Sequence, residues 1–373
     1  MAENRSSFDC IVVGAGLLGM LSARALRAAG MSVALLDQGE AGREASWAGG
    51  GILSPLIPWQ YADAISELVV WSQQYYPGLV RQLQEQTGID AEWVQSGVLY
   101  LGTPMASRIS DWAARYQTRV DTVDAQQAHQ LDPQVVQTAA TSLFLPEVAQ
   151  IRNPLLCTAL SRSIQLQGVE LREHTEVTGL SIKSNGIQGV TTASGTLTAE
   201  RVVIAGGAWS SLIMRQAGLE LAVEPVLGQM IMFETRPGLL RHITMSGDYY
   251  LIPRQNGLVL AGSTLEYTGY TKKTTQAARD MLAEKALMLV PALSEYKVIK
   301  HWAGLRPGSA DGIPFIGEHP QIRGLYMNTG HFRNGVVMAP ASAQLLLDSM
   351  LGQESFTSFA PYKGMDETNL ADL

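Results

Sequence analysis

Residues Gly14-Ala15-Gly16-Leu17-Leu18-Gly19 follow an apolar run over 8–13 and open a helix-patterned segment over 20–29. That order predicts a strand, a tight turn and a helix. The first glycine permits the turn, the second lets backbone N–H groups approach a pyrophosphate, and the third lets the helix pack on the strand. A pyrophosphate would then sit at the helix N-terminus, where unpaired N–H groups and the macrodipole favour anions. A second strand over 32–36 ends in Asp37, about the ~20-residue distance expected of an acid that holds ribose hydroxyls. An acid there repels the 2′-phosphate of NADP. NAD and FAD offer the same adenosine diphosphate to this turn, so it leaves both open.

The 373 residues exceed the size at which one core usually stops growing, which predicts two domains or one elaborated domain. Hydrophobic residues at 46% and charged residues at 16% fit a globular enzyme rather than a disordered or fibrous chain. A formal net charge of -7 argues against nucleic acid as the main partner, because phosphate binding relies on clustered Lys and Arg. The local basic pair Lys272-Lys273 reads as a solvated turn. No run reaches the ~18 uninterrupted apolar residues of a transmembrane helix, so no membrane partner is expected. Cys10 and Cys157 sit in apolar surroundings without CxxC spacing, which points to a reducing, cytoplasmic address.

Residues 39–58 are glycine-rich and too poor in regular periodicity for helix or strand. Gly49, Gly50 and Gly51 imply close approach by a bulky object. Either the loop is merely flexible or it wraps the far end of the dinucleotide, with Ser46 near the phosphates. Helical spacing covers 64–86 and 106–120, and strand patterns cover 169–177, 182–190 and 197–205, the first two meeting around Asn185-Gly186. The third ends at Gly206-Gly207, a second place where backbone can approach the cofactor. From Ala222 the pattern turns to strands over 226–234, 248–253, 258–262 and 298–302, interrupted by a helix over 275–289. Mixed strands with such a helix predict a substrate domain against the dinucleotide domain.

Three motifs follow: Trp302-Ala303-Gly304-Leu305-Arg306-Pro307-Gly308, Asp311-Gly312-Ile313-Pro314-Phe315-Ile316-Gly317 and Gly330-His331-Phe332-Arg333-Asn334-Gly335-Val336. With the opening fingerprint, the Gly49–Gly51 loop and residues 205–210, they resemble the D-amino-acid oxidase superfamily of flavoproteins and, within it, the glycine oxidase family. The resemblance touches nearly the whole chain. It implies an α/β, two-domain flavoprotein: a Rossmann-like FAD-binding domain over 1–85, 146–220 and 304–373, and a mixed-sheet α+β substrate domain over 86–145 and 221–303. The FAD is expected to be non-covalent, because relatives that attach it do so through a late cysteine and none follows Cys157.

At family cofactor positions stand Gly14, Gly16, Leu17, Leu18 and Gly19 of the fingerprint, Asp37 and Gln38 after the second strand, and Ala45, Ser46, Gly50, Gly51 and Ile52 in the loop. Val177 and Gly206 join them, as do His331, Phe332, Arg333, Asn334, Gly335, Val336 and Val337 of the closing motif. That motif precedes an apolar helical pattern over 336–350, so its N–H groups would face the pyrimidine side of the flavin and stabilise negative charge there.

Arg306 matches the residue that binds the substrate carboxylate, which a guanidinium holds bidentately and a Lys cannot. Taken alone, an Arg more often makes a surface salt bridge. Arg333 matches a position near the substrate, or else pairs with an acid. Tyr250 matches a tyrosine that reaches the carboxylate or caps the site, but Tyr249 alternates with it and only one of the two can face inward. Asp248 and Leu265 stand where other members carry His and Met, so pocket polarity is expected to differ.

The resemblance implies oxidation of glycine and other small primary or secondary amines (sarcosine, small D-amino acids) by hydride transfer to the flavin, with no catalytic acid or base and no metal. Glyoxylate or a 2-oxo acid, ammonia or amine, and H2O2 would result, and in bacteria the imine would serve the thiazole of thiamine. The partners implied are an amine substrate, O2 and further copies of the chain in a homotetramer. The alternatives are a D-amino-acid dehydrogenase that passes electrons to a quinone, and a flavin module serving an RNA-modifying partner.

Overall fold

The computed structural model describes residues 5–103, 106–136 and 139–364. Its strands are β1 (Ser7–Val13), β2 (Val33–Leu36), β3 (Val98–Tyr100), β4 (Asp121–Asp124), β5 (Thr141–Leu145), β6 (Glu170–Arg172), β7 (Val177–Lys183) and β8 (Gly186–Thr192). There follow β9 (Gly195–Ile204), β10 (Glu224–Glu234), β11 (Ile243–Ser246), β12 (Tyr249–Pro253), β13 (Leu258–Gly262), β14 (Lys297–Gly308), β15 (Phe315–Glu318) and β16 (Leu325–Thr329). The helices are α1 (Leu17–Ala28), α2 (Ala45–Ala48), α3 (Asp63–Thr87), α4 (Ala106–Tyr116), α5 (Ala125–Leu131), α6 (Asn153–Leu166), α7 (Ser210–Arg215), α8 (Gln276–Leu289) and α9 (Gly335–Leu351).

The first sheet runs β15-β16-β9-β1-β2-β6, with β8 joining β9 and β7 pairing β8. β1 lies parallel to β2 and to β9, so Val13 is registered against both Leu36 and Ile204. Cys10, Ile11 and Val12 are fully buried because both faces of this strand are covered, which is why it reads as a continuous apolar run. One face packs on α1, α3, α6 and α9; the other packs on the β7–β8 hairpin and Met214 of α7. Both cysteines are free and buried, their thiols pushed up to about 12 by burial. No helix among the described residues is long and apolar enough to cross a membrane.

The second sheet runs β14-β10-β13-β12-β11-β3-β5-β4, with α8 on its Leu251 and Val259 face. β14 is one uninterrupted strand, longer than the expected 298–302, and passes position 303 within it. Its antiparallel pairing with β10 aligns Arg306 with Val226, which carries Arg306 from the sheet to the end of the dinucleotide cleft.

Several elements depart from expectation for physical reasons. The expected strand over 169–177 is two strands. Between them His174 N–H donates to Gly39 O and Thr175 N–H to Asp37 O, diverting the chain over the end of β2. The β7–β8 turn centres on Ser184 and Asn185, both at positive φ, one residue earlier than read. The helix expected over 106–120 stops at Tyr116, because Gln117 takes a positive φ and Asp121 starts β4. Within the glycine-rich 39–58, residues 45–48 close one helical turn, its last carbonyl taken by Trp302. α5 and α6 and the strands β3, β4, β5, β11, β15 and β16 were not recognised in the sequence.

Candidate active site

The fingerprint turn is built by crowding. Gly14 has φ +105, and a Cβ there would strike the carbonyl of Ala205 at the end of β9; a Cβ on Gly19 would strike the carbonyl of Gly14. Thus the first glycine lets two parallel strands end side by side, and the third seats α1 on the turn. Gly16 meets only Ser46 Oγ, at 3.2 Å.

Two side chains hold this turn. Asp37 accepts the Ala15 N–H at 2.7 Å through Oδ2 and the Gly39 N–H at 2.8 Å through Oδ1. Burial raises its pKa against these bonds, which favour the charged form. Ser46 Oγ accepts the Leu17 N–H at 2.8 Å and so caps α1 from 29 residues away. In the sequence Asp37 read as a ribose ligand and Ser46 as a phosphate neighbour; here both first of all shape the protein's own turn.

A single cleft joins these parts. Gly14, Gly16, Leu17 and Leu18 line one end with Asp37, Gln38, Ala45 and Ser46; Val177 and Gly206 line the flank; Arg306, His331, Phe332, Arg333, Gly335 and Val336 line the other end. Gly19, Asn334 and Val337 are buried. The Gly49–Gly51 run is crowded by protein atoms, and Gly49 also lines the cleft. A Cβ on Gly50 would stand 2.6 Å from Ile252 Cδ1, one on Gly49 2.8 Å from Asn153 Nδ2, and one on Gly51 would strike Ile151 O. Ile52 bridges Gln150, and Arg254 Nη2 donates to Gly50 O at 2.8 Å, pinning the loop.

The closing segment leaves β16 through Gly330 at φ +82 and enters α9 through a turn over Phe332–Asn334. Ser342 Oγ donates to Met338 O and lies 2.9 Å from His331 Nε2, so Nε2 carries the proton and Nδ1 is a bare acceptor. Burial lowers the His331 pKa to about 3, which keeps the ring neutral. His331 Nδ1, Asn334 Nδ2 and Asn328 Oδ1 are buried without a protein partner, and His331 and Asn328 both line the cleft. Buried polar atoms are rarely left unpaired, so the two acceptors that line the cleft suit the donors of a polar ligand. That fits a flavin dinucleotide stretched from the fingerprint to α9.

At the far end Arg306 lies across Gly228, where a Cβ would overlap the guanidinium. Its hydrogen bonds all go to neutral oxygens: Ser263 Oγ at 2.8 Å, Thr264 O at 3.1 Å and Leu227 O at 3.4 Å. Burial lowers its pKa, and Arg333 acts in the same sense, while Tyr250 and the more weakly felt Glu266 carboxylate oppose both. Arg306 is therefore no surface salt bridge but a half-buried cation that lines the cleft. Tyr250, 8% exposed, is the inward member of its pair, its hydroxyl 3.8 Å from Met230 Sδ; Tyr249 faces Lys285 on the other side. Arg333 Nη1 donates to Asp248 Oδ1 at 3.3 Å, so it does pair with an acid.

Other contributors escaped the sequence. Gly228 and Ser263 carry no local signal, since what they do is make room for or hold Arg306 across the sheet. Lys272, read as a solvated turn, pairs with Glu44 at 2.6 Å, and Tyr270 donates to Ala208 O at 3.1 Å, laying the segment between them along residues that line the cleft.

A sheet with a parallel β9-β1-β2 centre and a glycine turn at its switch, and a second sheet that brings a half-buried Arg to the same cleft, define a dinucleotide-dependent oxidoreductase. The chain belongs to the FAD dependent oxidoreductase family, which it matches over residues 9–349. It is 44% identical to a glycine oxidase of Pseudomonas putida over 95% of this chain and 98% of that one. A bifunctional protein ThiO/ThiG of Trichormus variabilis is 29% identical over 93% of this chain and 53% of its own length. The crystal structure of glycine oxidase from Geobacillus kaustophilus superposes with a TM-score of 0.92 at 28% identity, covering 97% of this chain and 99% of that one. The protein is an FAD-dependent oxidoreductase, which decides between the two dinucleotides that the fingerprint left open.

Proposed function

We propose that the protein oxidises glycine, and with it other small primary or secondary amines such as sarcosine and small D-amino acids, to the imine, which water converts to glyoxylate or the 2-oxo acid. The observation that carries this is Arg306: a half-buried, cleft-lining guanidinium whose hydrogen bonds go only to neutral oxygens retains a full charge for an incoming carboxylate. The similarity to glycine oxidases supports the same reading.

In this reading Arg306 fixes the carboxylate in distance and plane, and the Tyr250 hydroxyl, which acts on the same guanidinium, completes the anion site. The Tyr250 ring covers Gly262 and Gly50, where added Cβ atoms would stand 2.8 and 3.4 Å from its Cε2. His331 Nδ1, Asn334 Nδ2 and Asn328 Oδ1 would hold polar edges of the cofactor, and the α1 N-terminus its pyrophosphate. Bound FAD would supply the two-electron oxidation chemistry, with O2 as the final acceptor, while Arg306 and Tyr250 would hold the amine with its Cα toward the cofactor. No side chain acts as acid or base; positioning at near-attack distance is the protein's contribution.

Use of the imine for the thiazole of thiamine, a cytoplasmic address and a homotetramer without membrane or nucleic-acid partner belong to the same proposal. The two buried free cysteines are in keeping with a reducing compartment. Anaerobic addition of glycine to the yellow protein tests the reaction: the flavin bands should bleach, and air should restore them with H2O2 and glyoxylate in equal amounts. Persistent bands overturn glycine as the substrate, and dye reduction without peroxide would point to a dehydrogenase instead.

A further inference from the structure

The substrate end holds two arginines in different states. Arg306 hydrogen-bonds only neutral oxygens, whereas Arg333, lining the same cleft, is tethered to Asp248. Asp248 stands in the turn between β11 and β12, two residues before Tyr250, with its side chain 74% exposed against 17% for Arg333. The tether is one 3.3 Å contact, longer than the charge-assisted bonds of a well-seated Arg–carboxylate pair, so a second carboxylate reaching Arg333 would compete with it on favourable terms. Arg333 also acts electrostatically on Arg306, so the two cations share one local field.

We propose that Asp248 determines how many carboxylates the site accepts. By occupying Arg333 it leaves Arg306 as the receptor for a single carboxylate, which admits monocarboxylic amino acids and turns away amines that bear a second carboxymethyl group. A dicarboxylate gains little from Arg333 while it must first displace Asp248, and it meets the negative charge of Asp248 at the mouth. This rests on the assignment of Arg306 as carboxylate receptor. It goes further in making an exposed residue, outside the cofactor cleft, the one that sets substrate charge.

Binding of non-reacting anions to the holoenzyme tests it by calorimetry, with acetate as the monocarboxylate and malonate, succinate and glutarate as dicarboxylates. Asp248→Asn keeps the shape and removes the charge. The best dicarboxylate-to-acetate affinity ratio should rise about fivefold, the upper end for a pair this exposed, and shrink at high salt. Adding Arg333→Gln should abolish the gain, which a merely loosened turn would not do. An unchanged ratio in Asp248→Asn, or a gain that survives Arg333→Gln, overturns the proposal. Glycine turnover by the unaltered holoenzyme, followed in parallel, reports on the functional reading alone; its absence defeats that reading while the anion ratio still decides for or against Asp248.

Discussion

Asp37 at the end of β2 and Ala15 in the fingerprint turn are joined by a 2.7 Å hydrogen bond from the Ala15 N–H to Oδ2, and the Gly39 N–H occupies the other oxygen. The carboxylate is thus an internal acceptor for two backbone donors. Asp37→Asn would turn an NH2 group toward one of those donors and leave it unsatisfied, at a cost of about 1–3 kcal/mol. Thermal unfolding of the FAD-free protein should report this loss; an equal effect seen only with FAD bound would return Asp37 to a purely ligand-binding role.

Gly14→Ala should fail doubly, because φ +105 strains any side chain and the Cβ meets Ala205 O. A cost of more than about 1 kcal/mol is expected from the backbone alone. The purified variant should carry less than stoichiometric FAD, measured by its absorbance ratio, with a lowered Tm. Gly16→Ala, whose Cβ would meet only the Ser46 hydroxyl at 3.2 Å, should be milder.

For Arg306→Ala the expected loss is about 2–5 kcal/mol in carboxylate binding, the range for truncating one partner of a buried charged hydrogen bond. Glycine kcat/KM should fall by that amount while FAD content stays unchanged. Arg306→Lys should recover charge but not the bidentate plane, and therefore only part of the activity. Retained KM for glycine in Arg306→Ala would remove this residue from the substrate site.

The buried neutral His331 predicts a pH dependence. Its folded pKa of about 3 lies below the unfolded value of 6.5, so the unfolded state binds the proton first. Its contribution is full above about pH 6.5, declines by roughly 1.4 kcal/mol per pH unit between the two pKa values, and levels off below the folded one. Denaturant titrations from pH 7 to 4 should show this slope in the unaltered protein and a flatter one in His331→Gln. Parallel slopes would mean that other groups govern acid unfolding.

Much of the fold was legible in the sequence because its signals are local. The run over 8–13, the glycine turn and the helix after it became β1, the turn and α1, since strand period, positive φ and helical spacing act over a few residues. Alternation alone narrowed Tyr249 and Tyr250 to one inward residue, the resemblance picked Tyr250, and the packing of the folded sheet makes Tyr250 the buried one. Asn153 of α6, Gly228 and Ser263 stayed silent for a related reason. Each acts on a residue far away in the chain.

By itself, the sequence determined a flavin-type dinucleotide fold and the place of its glycine turn, and it singled out Arg306 as the candidate for a substrate carboxylate. Only the tertiary structure decided what the glycines at 49–51 make room for, that Asp37 and Ser46 brace the turn, and that Arg333 is tethered while Arg306 is not. Local sterics and periodicity are written in neighbouring residues. Hydrogen bonds such as Leu17 N–H to Ser46 Oγ, 29 residues apart, or Arg333 to Asp248, 85 apart, exist only once distant parts of the chain have packed together.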